Sequence, residues 1–146
     1  MNITYLSLGS SIGKKTEVIR KAIKDLAANG KVLKTSSFLK TKPEGGVAKN
    51  MFLNICVKFQ TELTAFQLLK FCNSLEIKHG RIREQRWDDR TLDIDIITFN
   101  KEKVSTKDLK IPHPLASQRD FVLKPLAEIC DYTITNGKII IEEKDL

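Results

Sequence analysis

Residues 80–95 read Gly-Arg-Ile-Arg-Glu-Gln-Arg-Trp-Asp-Asp-Arg-Thr-Leu-Asp-Ile-Asp and concentrate the side chains best suited to chemistry. Arg81, Arg83, Arg86, Arg90 and the only tryptophan, Trp87, fall within ten residues. Asp93 and Asp95 follow inside an apolar alternation, Leu92-Asp93-Ile94-Asp95-Ile96-Ile97. A period of two is that of a β-strand, which puts Leu92, Ile94 and Ile96 on one face and both carboxylates on the other. Carboxylates two positions apart stand about 6.5–7 Å apart at the backbone. They can converge on one Mg²⁺ ion, or hold two ions bridged by a polyphosphate. Acidic groups for metal beside guanidinium groups for phosphate oxygens point to metal-dependent phosphoryl chemistry.

An isolated aspartate pair reads as the solvated face of a half-buried strand. The arginine distribution decides otherwise. Of six arginines, five (Arg81, Arg83, Arg86, Arg90, Arg119) lie between 81 and 119, with Arg20 the exception, whereas nineteen lysines are scattered from end to end. Arginine's rigid donor fork is favoured where phosphate or carboxylate is gripped, while lysine serves solubility equally well. The run is therefore read as a site.

Several elements must position it. Residues 2–8 alternate as a first strand ending at Gly9-Ser10, and Val18, Ile19, Ala22, Ile23 and Leu26 give a helix over 15–28 stopped at Asn29-Gly30. A second strand is expected over 31–41, a Gly-containing loop over 42–49, and a third strand over 51–61. Thr64 should cap a second helix with Phe66, Leu69, Cys72 and Leu75 inward, ended by Gly80. The aspartate strand then runs to Phe99, residues 120–130 form a third helix with Pro125 inside it, and a hairpin turns at Asn136-Gly137. The order β-α-β-β-α-β predicts an α+β, ferredoxin-like α/β plait: an antiparallel sheet with helices on both sides and a C-terminal hairpin.

At 146 residues the chain is expected to form a single domain, 1–146, around one core. Cys56, Cys72 and Cys130 are odd in number and lie in apolar stretches, which favours reduced, buried thiols and a cytoplasmic protein. The first residues lack a basic leader, and no segment approaches a membrane span in length. A net charge of +7 suits polyanionic ligands without choosing between nucleotide and nucleic acid.

Taken together, Leu8-Gly9-Ser10, Ser36-Ser37-Phe38 with Thr41 and Pro43, Phe52-Leu53-Asn54, Glu76 with Gly80-Arg81-Ile82-Arg83, Arg86-Trp87, Arg90-Thr91-Leu92-Asp93-Ile94-Asp95-Ile96, and Pro112-His113 with Arg119 and Phe121 resemble the 6-hydroxymethyl-7,8-dihydropterin pyrophosphokinase family. The resemblance covers about residues 2–130. It implies transfer of a pyrophosphoryl group from ATP to the pterin hydroxymethyl oxygen, with release of AMP, in folate biosynthesis. By motif it implies that Asp93 and Asp95 bind two Mg²⁺ ions. Arg81 and Arg90 would neutralise the transferring group. ATP would be held by Asn73, Glu76, Arg83, Arg86, Ile96, His113 and Arg119. The pterin would lie between Phe52 and Phe121, with Gly9, Thr41, Glu44, Asn54, Trp87 and Asp93 around it. Partners are then small molecules only, with no nucleic acid and no membrane, and the protein a monomer. Residues 42–50 and 80–90 are expected to close over both substrates.

The chain departs from the family's pattern at Phe52, where tyrosine is common, and at Asp88-Asp89, where Gly-Pro is common. Lys42 and Glu44 replace apolar residues, and the arginine loop is one residue shorter than in some members. A basic plait could instead bind RNA through sheet aromatics, but this chain lacks the aromatic run of such modules and gathers its arginines beside carboxylates. A non-catalytic nucleotide-binding member is the other alternative; retention of Asp93, Asp95, Arg81 and Arg90 argues against it.

Overall fold

The computed structural model describes residues 1–42, 51–80 and 91–146. In chain order the elements are β1 (Asn2–Ser10), α1 (Lys15–Leu26), β2 (Gly30–Thr35), β3 (Leu39–Thr41), β4 (Phe52–Thr61), α2 (Ala65–Lys78), β5 (Asp93–Phe99), β6 (Val104–Ser105), β7 (Lys110–Ile111), α3 (Asp120–Ala127), β8 (Tyr132–Thr135) and β9 (Lys138–Ile141). The main sheet runs β2-β4-β1-β5, with β3 also paired to β4, and every pairing is antiparallel. This is the plait the element order predicts. The strands β6 and β7, and β8 and β9, form two small ribbons.

Each face of the sheet carries its own core. On one, Ile19, Ala22 and Leu26 of α1 and Leu68, Cys72 and Leu75 of α2 pack on Leu6, Leu8, Ile55, Val57, Ile94 and Ile96. On the other, Val122 and Leu126 of α3 with Ile139 and Ile141 of β9 cover Tyr5, Cys56 and Ile97. Covering both faces explains why β1 and β4 are buried almost without interruption, polar residues such as Thr4, Ser7 and Asn54 included. Among the described residues no helix is long and apolar enough to cross a membrane.

Local chemistry sets the boundaries. Thr64 accepts from Gln67 N while Gln67 Oε1 accepts from Thr64 N, a reciprocal capping box that starts α2. The buried stripe of α2 is Ala65, Leu68, Cys72, Leu75 and Glu76, so Phe66, expected inward, stands 47% exposed one position off that stripe. The single strand expected over 31–41 is two, because the β2 pairing slips between Val32 and Lys34 and the chain leaves the sheet after Ser36, whose backbone and hydroxyl both bond to Cys56. Gly9 and Ser10 continue β1, opposite Asn54 and Leu53. The tail hairpin turns as expected, with Asn136 and Gly137 at φ 52° and 73°, the left-handed pair a two-residue turn requires.

Strand β5 contains one irregularity. Leu6 pairs with Ile96 and Tyr5 with Thr98, so Ile97 is an extra residue. Ile97 lies on the α3 side, as alternation from Ile96 requires, and the shift breaks the alternation after it, returning Phe99 to the α1/α2 side. Before it, the alternation holds: Leu92, Ile94 and Ile96 are buried in the first core, and Asp93 and Asp95 face the other way.

Candidate active site

The register of three strands builds the site. Gly9 in β1 pairs with Asn54 on one side and Asp93 on the other, so Asn54, Gly9 and Asp93 form a row across the sheet. With neighbouring strands about 4.8 Å apart, the ends of this row are roughly 10 Å apart. The row one step along is Cys56, Ser7 and Asp95. Period two places Ser7, Gly9, Phe52, Asn54, Asp93 and Asp95 on the same face of the sheet.

Glycine at position 9 leaves room for the side chain of Asn54. A Cβ on it would meet Asn54 Oδ1 at 2.8 Å and Phe52 Cδ1 at 3.8 Å, so the Asn54 amide already overhangs the bare backbone. Asn54 is buried and its Nδ2 donates to Thr41 Oγ1 at 3.0 Å, tying β4 to β3. Phe52 pairs with Thr41 at the open end of the same strands and is half-buried. The result is a flat floor with an amide at one end and carboxylates at the other. A cavity of about 360 Å³ lined by Gly13, Lys15, Thr16, Lys40, Met51, Phe52 and Leu53 adjoins it at Phe52.

The carboxylate end is flanked by residues arriving after β7. His113 N donates to Ile97 O at 2.9 Å, docking this segment on the outer edge of β5. Its Nδ1 accepts from Leu115 N at 3.2 Å, which leaves Nε2 facing Asp95 Oδ1 at 4.0 Å. Burial lowers the His113 pKa below its ordinary value, and the Arg119 charge adds to this while Asp95 opposes it. The Arg119 guanidinium lies 5.4 Å from the centre of the Phe121 ring, in cation–π range. Phe121 sits in the first turn of α3, half-buried against the second core.

From the other side, Glu76 of α2 is buried, and its Oε2 accepts from Ile94 N at 2.9 Å. Asn73 lies one turn earlier on the same helix, exposed. Ile96 lies between the Glu76 and His113 anchor points along the outer edge of β5. Thus the structure gathers Gly9, Thr41, Phe52, Asn54, Asp93, Asp95, Ile96, His113 and Arg119 toward one end of the sheet. Glu44, Arg81, Arg83, Arg86, Trp87 and Arg90, and with them most of both expected closing segments, lie outside the described residues. Sequence reasoning missed Ser7, which is buried between Cys56 and Asp95. Its signal was parity: it precedes Gly9 by two.

The donor set fits Mg²⁺, a hard ion that takes oxygen ligands. Among the described residues no group of three or more His, Cys, Asp or Glu side chains is placed to bind a metal ion. Two adjacent carboxylates alone match the Mg²⁺ habit of using one or two protein carboxylates and completing its shell from substrate phosphates and water.

Residues 5–131 match the family model for 7,8-dihydro-6-hydroxymethylpterin-pyrophosphokinase (HPPK). A 2-amino-4-hydroxy-6-hydroxymethyldihydropteridine pyrophosphokinase of Bacillus subtilis is 44% identical over 131 residues, 88% of this chain and 78% of its own. The protein of the same name from Methylorubrum extorquens is 40% identical over 144 residues, covering 97% of this chain and 91% of its own. In fold, the chain is similar to a crystal structure of an HPPK-DHPS protein in complex with substrates, at a TM-score of 0.66 and 12% identity. That match covers 96% of this chain, which spans about half (48%) of the longer protein. With the family model matching residues 5–131 of the 146 and relatives this similar, the chain belongs to the 7,8-dihydro-6-hydroxymethylpterin-pyrophosphokinase family.

Proposed function

We infer that this chain transfers a pyrophosphoryl group from ATP to the hydroxymethyl oxygen of 6-hydroxymethyl-7,8-dihydropterin, yielding AMP and the pterin diphosphate in folate biosynthesis. The observation that carries the reading is the row Asn54–Gly9–Asp93, which ends in carboxylates on the face shared with Phe52. A flat heterocycle laid over Gly9 would offer its amide-like edge to Asn54 and one ring face to Phe52, with Phe121 opposite. Its hydroxymethyl group then points along the row toward Asp93 and Asp95.

Asp93 and Asp95 would hold two Mg²⁺ ions, which when bound screen the triphosphate and polarise its phosphoryl oxygens. His113 presents Nε2 beside Asp95, and Arg119 adds a fixed positive charge where phosphate oxygens gather. The adenosine would lie along the outer edge of β5 at Ile96, with Asn73 nearby. Arg81 and Arg90 keep the neutralising role that the family resemblance assigns to them. Such a transfer needs positioning and charge stabilisation more than covalent assistance. On this reading the chain works in the cytoplasm as one domain and as a monomer, with small-molecule substrates only.

The test is AMP release from ATP and Mg²⁺ by the purified protein, with and without the pterin. Pterin-dependent AMP that disappears in Asp95→Ala, with the circular dichroism spectrum unchanged, supports the reading. AMP release indifferent to the pterin, or an Asp95→Ala enzyme of full activity, sinks it.

A further inference from the structure

We propose that Glu128 is a positioning residue for pterin recognition: its carboxylate ties the end of α3 to the segment between β2 and β3, and so fixes Thr41 and Phe121 relative to one another. The inference rests on the reading of Phe52, Asn54 and Phe121 as the pterin site.

Three observations carry it. First, β3 is three residues long and, among the described strands, is paired to β4 alone, Leu39 with Asn54 and Thr41 with Phe52. Yet Thr41 Oγ1 accepts from Asn54 Nδ2 at 3.0 Å, the bond that leaves Asn54 Oδ1 over Gly9. So short a strand gives Thr41 little support of its own. Second, the chain just before β3 is clasped from α3. Ser37 N donates to Glu128 Oε1 at 2.9 Å, and the Ser37 hydroxyl lies 2.9 Å from both Glu128 oxygens. The neighbouring Ser36 is fixed to β4 by its bonds with Cys56 N and O. Third, Glu128 continues the helical conformation of α3 seven residues after Phe121, so the two share one face of that helix. The helix packs on β4 and touches β3, with Val122 and Leu126 in the core.

The clasp closes a frame. Helix α3 presents Phe121 at its start and grips Ser37 at its end; from Ser37 the chain runs through β3 to Thr41, which holds the amide of Asn54. A carboxylate suits this role because it accepts the amide and hydroxyl hydrogens together, through charge-assisted bonds. Both Ser37 and Glu128 are exposed, so replacing either removes no core contact. A change in pterin affinity on losing the clasp then reports geometry and not folding. The outer edge of β5, where the adenosine is placed, lies across β4 and β1 from β3, so nucleotide affinity should respond less than pterin affinity.

The experiment compares Glu128→Ala, Glu128→Gln and Ser37→Ala with Asn54→Ala as reference. Calorimetry reads the binding of 6-hydroxymethyl-7,8-dihydropterin with Mg²⁺ and the non-hydrolysable α,β-methylene analogue of ATP present, and the binding of that analogue with Mg²⁺ alone. Amide hydrogen exchange in β3 is measured alongside. The expected result for Glu128→Ala is an increase of about tenfold in the pterin Kd, the size of one misplaced hydrogen bond to a ligand. Analogue affinity should stay near wild type, and exchange in β3 should accelerate. Glu128→Gln keeps an acceptor oxygen and should recover most of the pterin affinity. Ser37→Ala keeps the backbone bond and should show a smaller loss in the same direction. In Asn54→Ala the pterin affinity should fall with β3 exchange near wild type. Pterin affinity that survives Glu128→Ala but falls in Asn54→Ala overturns the proposal and spares the pterin reading. Equal losses of pterin and analogue affinity in Glu128→Ala, or a pterin loss without faster exchange in β3, overturn it as well. Asn54→Ala that binds the pterin like wild type overturns both together. If Glu128→Ala does not fold, Ser37→Ala carries the test: unchanged pterin affinity and β3 exchange in it overturn the clasp.

Discussion

At the scale of single residues, the proposed function rests most heavily on Gly9 and the aspartate pair. Gly9→Ala puts a methyl group 2.8 Å from Asn54 Oδ1, so either the amide moves or the floor rises. The expected effect is an increase of about tenfold or more in the pterin KM, equivalent to the loss of about 1.4 kcal/mol of binding, with the ATP KM nearly unchanged. Equal increases in both constants would mean that Gly9 serves the fold and not the pterin. The thiols give a second residue-scale prediction. Burial pushes Cys56, Cys72 and Cys130 up to about 12, with nearby negative charges adding to the effect. Thiolate is the reactive form, so the native protein should resist a thiol reagent at pH 8 and react with three equivalents once unfolded. Prompt labelling of the native protein would contradict the burial described. The buried, reduced state was legible from spacing and apolar context, whereas the proximity of Cys72 to Asp95 depends on how α2 lies against β5.

At the scale of elements, α2 connects stability to the site because it delivers Glu76 to β5. Thr64→Ala removes one half of the capping box and should cost about 1 kcal/mol, read as a fall of a few degrees in Tm with the activity of the folded fraction unchanged. The end of the helix is tied to α1 by Asp25, whose Oδ2 lies 2.9 Å from His79 Nε2 and 3.1 Å from Lys78 Nζ. Burial would raise the Asp25 pKa, but the hydrogen bonds from His79 and Lys78 outweigh it and the net shift is downward. A carboxyl depressed in the folded state contributes stability above its unfolded pKa, near 3.8, and loses it as pH falls through the lower folded value. Asp25→Asn should therefore lower Tm at pH 7, by no more than the ~1 kcal/mol expected of an exposed pair, and the difference should shrink as pH falls below 3.8 and vanish below the folded-state pKa. A difference that does not shrink with acidification would assign the effect to packing. The boundaries of α2 were legible in Thr64 and Gly80 because caps are local chemistry. Its inward face was misjudged at Phe66, since a run with apolar residues on several sides does not reveal which stripe meets the sheet.

For the whole molecule, the order of elements along the chain was enough to predict the plait, because few antiparallel arrangements satisfy β-α-β-β-α-β with short connections. What the chain could not reveal was register. The alternation of residues 92–96 puts Asp93 and Asp95 on one face, yet only the pairing of β1 with both β4 and β5 sets Asn54, Gly9 and Asp93 in line. Ser7 stayed hidden for the same reason, as did the extra residue at Ile97 that turns the end of β5 over. The site therefore arises from three strands distant in sequence, joined at one end of a sheet whose two faces are already committed to cores. On the proposed function, the pterin hydroxymethyl oxygen attacks the β-phosphorus of ATP, so that two phosphoryl groups move together and AMP leaves. Phosphorus NMR of the reaction mixture with ATP, Mg²⁺ and the pterin tests it most directly. The three ATP signals should give way to one AMP signal and the coupled pair of a pterin diphosphate; signals of ADP and a pterin monophosphate would contradict this transfer.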